Sequence, residues 1–139
     1  MTEVFAIGNV RNFARVRDFV RQDLGCGCPE EIFADMELTL PELGQDRLVY
    51  KKLIIGRRLL IAILPCDDPA TLQQLLPQLV HKLRQERDGM GYNRVRIVIA
   101  ATEPTLIQLS ADLLFQGLND IDERMHLHIL PADHLLGIE

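Results

Sequence analysis

From Leu59 to Leu64 the chain reads Leu-Leu-Ile-Ala-Ile-Leu, apolar at every position. Successive strand residues point to opposite faces, so a strand of this composition belongs inside a sheet covered on both sides. From this strand onward the chain uses one unit twice. Leu60 to Val80 reads as an apolar strand, then Cys66-Asp67-Asp68-Pro69-Ala70-Thr71, then a helix. Val95 to Leu114 reads as an apolar strand, then Ala101-Thr102-Glu103-Pro104-Thr105, then a helix. A third strand, His126 to Leu130, leads into Pro131-Ala132-Asp133-His134. Strand, helix, strand, helix, strand is the pattern of parallel pairing through right-handed crossovers. It predicts that Cys66, Thr102 and Asp133 share one edge of the sheet and that Ile61, Ile63, Ile97 and Ile99 are core. In the first helix, Leu72, Leu75, Leu76, Leu79, Val80 and Leu83 form one stripe, with Pro77 interrupting the backbone ladder. Gly89-Met90-Gly91-Tyr92-Asn93 reads as the return loop.

The first part of the chain supplies a helix and a hairpin. Val10, Phe13, Val16, Val20 and Leu24 fall at helical spacing, which predicts a helix from about Val10 to Leu24, ended by Gly25. Pro29 fits the first position of a short second helix, with Cys28 as its N-cap. Met36 to Leu40 alternates as a strand does. Leu48 to Ile55 and Leu59 to Leu64 flank Gly56-Arg57-Arg58, a tight hairpin turn. The expected fold is therefore α/β over one domain, residues 1–139. It has a mixed sheet of four to five strands, an antiparallel hairpin leading into parallel β-α-β-α-β, and an N-terminal helix.

Composition narrows the function classes. The formal charge is −5, tryptophan is absent and aromatics make up 5% of the 139 residues. An acidic chain with few stacking rings argues against nucleic acid and against an anionic membrane surface. The longest apolar run is too short to span a bilayer, and the first residues lack the pattern of a secretory leader. With three cysteines and no scaffold spacing, a reducing cytoplasm is the expected compartment.

The compact cluster of reactive side chains is Cys26-Gly27-Cys28-Pro29-Glu30-Glu31. Two thiols two residues apart on a glycine can share a metal, close a strained disulfide or attack a substrate in turn. Helix-end N–H groups favour thiolate, whereas Glu30 and Glu31 oppose it. Cys66 follows the central strand and is the candidate third ligand beside Cys26 and Cys28. Three thiolates suit zinc or an iron–sulfur cluster. For each cysteine the alternative is plain packing as a small apolar side chain. The spacing is Cys-x-Cys after a helix, not the Cys-x-x-Cys between strand and helix of thioredoxin-like redox sites.

Other groups have readings of both kinds. Asp67, Asp68, Thr102, Glu103, Asp133 and His134 form an acidic rim or, more simply, a set of helix caps in which Asp68, Thr102 and Asp133 act. His126 and His128 face the same way on the last strand, as metal ligands or as the exposed face of an edge strand. Lys51, Lys52, Arg57 and Arg58 form a basic spot or a solvated edge. Phosphate-loop, dinucleotide, nucleophile-elbow and His-Glu-x-x-His motifs are absent from the sequence. Two function classes stand. One is a thiol protein that binds a soft metal or exchanges disulfides for a partner. The other is a non-catalytic interaction or assembly module with structural cysteines. Either implies a protein partner or a homo-oligomer such as a homodimer.

Overall fold

A computed structural model of the chain describes residues 10–25, 27 and 29–139. Its first helix is Phe13–Asp18 (α1), which continues as a π-helical turn over Phe19–Asp23. Asn12 starts it: the Asn12 side-chain oxygen accepts the Arg15 N–H at 3.3 Å. A 3-10 turn covers Glu30–Ala34. Then come strands Met36–Thr39 (β1), Glu42–Leu43 (β2), Leu48–Val49 (β3), Lys51–Ile55 (β4) and Leu59–Pro65 (β5). Helix Pro69–Met90 (α2), strand Arg94–Ala101 (β6), helix Pro104–Gln116 (α3) and strand Met125–Pro131 (β7) come next, and a 3-10 turn over Ala132–Leu135 closes the series.

The main sheet has five strands in the order β1-β4-β5-β6-β7, while β2 and β3 pair separately. β1, β4 and β5 run antiparallel to their neighbours, and β5, β6 and β7 run parallel. The expected hairpin into parallel β-α-β-α-β is thus the observed topology. The hairpin turn is of the mirror type that matches strand twist: Gly56 and Arg57 have φ of +59° and +55°, and Arg58 N–H donates to Ile55 O at 3.0 Å. Cys66, Thr102 and Asp133 all follow parallel strands and share the sheet's carboxyl edge.

Each sheet face has its own core. Leu60, Ala62, Leu64, Val95, Ile97 and Ile99 pack against Leu72, Leu76, Leu79 and Leu83 of α2 and Ile107 and Ala111 of α3. The opposite face, with Leu53, Ile55, Ile61, Ile63, Val98 and Ala100, packs against Val16, Phe19, Val20 and Phe33. Double coverage is the reason β5 is apolar throughout.

Several local expectations are corrected. The N-terminal helix begins at Phe13, not Val10, because Asn12 caps it. The turn after the thiol segment starts at Glu30 and is 3-10, with Pro29 in the cap position in an extended conformation. Tyr50 breaks the expected 48–55 strand in two, and its N–H donates to Pro41 O at 3.0 Å. α2 runs through Pro77 and on past Gly89 to Met90, and left-handed Gly91 ends it. Lys51 and Lys52 lie on an interior strand and not on an edge. Lys52 pairs with Glu86 at 2.8 Å, and Lys51 Nζ donates to Ile138 O.

Candidate functional site

On β6, residues Arg94, Arg96, Val98 and Ala100 alternate onto the face covered by the N-terminal helix. Val98 and Ala100 are buried beneath that layer. Arg94 and Arg96 stand nearer the strand's start, past the end of the helix. Parallel pairing sets His126 opposite Arg96 and His128 opposite Val98 on β7. Arg96 Nη1 donates to His128 Nε2 at 3.0 Å and to Leu24 O at 3.0 Å. Leu24 O sits at the carboxyl end of the N-terminal helix, where a cation complements the helix dipole. Arg94 Nη1 lies 3.4 Å from His126 Nε2.

These contacts make both imidazoles acceptors and keep them neutral. Burial, then the charge of Arg96 and the neighbouring His126, pull His128 down to about 4. Burial and the two arginines also lower His126. The Nε of Arg96 is buried without a hydrogen-bond partner among the described residues.

Beside this group opens a cavity of about 470 Å³. Gly27, Pro29, Ile32 and Leu59 are the less polar residues of its lining. Arg58, Asn93, Arg94, Arg96 and His126 complete the lining, and no carboxylate is among the described residues that line it. Glu30, nearby in sequence, is held by Arg17 at 3.3 Å and Arg21 at 2.9 Å. The cavity lies at the amino-terminal edge of the parallel strands, since Leu59 and Arg94 are the first residues of β5 and β6.

Cys26 and Cys28, the expected thiol pair, lie outside the described residues. Gly27 between them in sequence lines the cavity. Cys66 follows the far end of β5, a seven-residue strand that spans about 20 Å. Its side chain is buried within the α2-side core, and its Sγ donates to Asp68 O at 3.4 Å. Burial and the Asp67 and Asp68 charges raise its pKa, so Cys66 has the environment of a packed thiol.

Around Cys66 the carboxyl edge is organised by hydrogen bonds. Asp68 caps α2, accepting from Thr71 N–H at 3.2 Å and from Thr71 Oγ1 at 2.9 Å. Thr102 does not cap α3; Glu103 occupies that position. Instead, Thr102 N–H and Oγ1 donate to Asp67 at 2.6 and 3.1 Å. Asp133 lies inside the last 3-10 turn, with Pro131 at its cap. Among the described residues no group of three or more His, Cys, Asp or Glu is placed to hold a metal ion. No helix of the described residues is long and apolar enough to cross a membrane.

Reading the sequence for motifs missed Arg94 and Arg96, although a signal was there. Arg94-x-Arg96 and His126-x-His128 are both two-residue alternations near the starts of strands. Parallel neighbours bring such alternations onto one face. No protein-family model, no curated protein and no solved structure matches this chain.

Proposed function

We propose that the chain is a small thiol protein that exchanges disulfides with a partner, with Cys26 and Cys28 as the acting pair. The observation that carries this reading is the lining at Gly27: three arginines, one neutral histidine and no carboxylate among the described residues. Positive charge favours thiolate, the nucleophilic form, and the same charge disfavours a metal cation. Glu30, the nearest opposing charge in sequence, is compensated by Arg17 and Arg21. In the exchange, one thiolate attacks a disulfide sulfur of the partner, and the partner's other sulfur leaves as thiolate. The second cysteine thiolate then attacks the mixed disulfide. This frees the partner as a dithiol and leaves a Cys26–Cys28 disulfide.

Alkylation rates followed by mass spectrometry across pH test this reading. Cys26 or Cys28 should label with an apparent pKa below the ~8.5 of a free thiol, and Cys66 should label slowly. Equal, slow labelling of all three cysteines overturns it.

The second reading, a non-catalytic interaction module, is favoured by a different observation. Leu106, Leu109 and Leu113 lie on one face of α3 and are 68%, 70% and 62% exposed. Sedimentation of the wild type beside Leu109→Glu tests it: association that the variant abolishes supports an assembly role, and a monomer in both cases removes the self-association form of it.

A further inference from the structure

We infer that the cavity at the amino-terminal edge of the sheet is a binding site for a small organic molecule carrying an oxyanion group, of the phosphomonoester class. Arg17, Arg21, Arg57 and Arg87 each face a carboxylate within 3.3 Å. Arg58 and Arg94 line the cavity, and neither has a carboxylate partner among the described residues. Arg96, held in place by Leu24 O and His128, adds a third charge behind them.

Three cations brought together repel one another. The repulsion shows in Arg96 itself, whose pKa is lowered by burial and then by the charge of Arg94. A ligand with two negative charges relieves that repulsion and meets guanidinium forks suited to oxyanion geometry. Size argues for more than a bare ion. At about 470 Å³ the cavity falls in the range of small-molecule sites. Ile32 and Leu59 in the same lining give the remainder of the ligand apolar neighbours. Phosphate-binding sites are expected at helix amino termini and glycine-rich loops. Here the charge comes from strand and turn arginines alone, which is why no loop motif marks it.

This assignment goes beyond the thiol reading and does not depend on it. Calorimetric titration at low salt with phenyl phosphate, inorganic phosphate and benzyl alcohol tests it in the wild type. The same titrations in Cys26→Ser/Cys28→Ser separate it from the thiols. Phenyl phosphate should bind both proteins, more tightly than inorganic phosphate, and benzyl alcohol should not bind. Arg58→Gln/Arg94→Gln should weaken phenyl phosphate about 100-fold or more, the effect of two lost charge-assisted hydrogen bonds. Arg47→Gln, which removes a charge from the turn between β2 and β3, should change nothing. Circular dichroism checks that each variant folds, and if the double variant unfolds, the single variant Arg94→Gln replaces it. The site assignment is overturned by no binding in the wild type or by undiminished binding in the arginine variants. Equal affinity for phenyl and inorganic phosphate overturns the organic part of it. Loss of binding in the serine variant, with the fold intact, would make the site a property of the thiols and overturn the independence claimed for it.

Discussion

Gly56 carries two constraints at once. Its φ of +59° disfavours any side chain, and a Cβ there would lie 2.6 Å from Ile32 Cβ. Gly91 shares only the first: its φ is +77°, with nothing within 4 Å of an added Cβ. Gly56→Ala should therefore cost roughly 2–4 kcal/mol, backbone strain plus overpacking, while Gly91→Ala should cost about 1 kcal/mol. Urea unfolding of the two variants measures the difference, and equal losses would contradict the close approach of the 3-10 turn. The second residue-scale prediction concerns acid. His128 faces Arg96 and His126. It takes up a proton at about 4 when folded, against ~6.5 in an unfolded chain. Between these values the unfolded state binds more protons, so stability is lost as pH falls from 6.5 toward 4. His128→Gln should flatten that part of the stability curve, as read by denaturation at successive pH values.

At the scale of elements, β5 and β6 are buried on both faces, and the two faces belong to different cores. Ile61 packs toward the N-terminal helix, whereas Ile97 packs toward α2 and α3; both are fully buried. Truncating either to alanine should cost about 2–5 kcal/mol. Because they lie in separate cores, the double variant should lose close to the sum of the two. A strongly non-additive pair in denaturant titrations would show that the sheet couples its faces. These strands were readable from sequence because an apolar residue at every position leaves few other solutions. The short strand β2 and its pairing with β3 were not. Their pairing depends on Leu43 packing into the α2-side core and on Tyr50 reaching Pro41 O, contacts with no local signature.

Across the whole molecule, the two ends of the described chain meet. Arg11 and Asn12 N–H groups donate to Glu139 O at 2.7 and 2.9 Å. Arg15 binds the carbonyls of His134 and Leu136, and Ile138 is fully buried beside the N-terminal helix. Removing residues 136–139 takes away that buried side chain and orphans two N–H groups at the start of the helix. The loss should be several kcal/mol, on the order of 3–5 from burial and unpaired donors together. Amide exchange should rise over residues 13–23 before it rises in α2. Uniform loosening, or none, would mean that the helix holds to the sheet without the closing segment.

Periodicity, turn chemistry and apolar runs are local, and they sufficed for the hairpin, the parallel crossovers, the shared carboxyl edge and the four core isoleucines. The cavity was beyond them. Arg94 and Arg96 stand at the start of an apolar strand with no motif around them, and His126 and His128 read as a separate pair some thirty residues on. Only strand register brings these alternations side by side, and only the end of the N-terminal helix at Leu24 decides which part of that face stays open. Arg87 shows the same limit. It lies on the buried side of α2 at 6% exposure because Asp122, from a loop 35 residues away, meets it at 2.8 Å. A charge is located by the partner or the space it faces, and both come from distant chain brought near by folding.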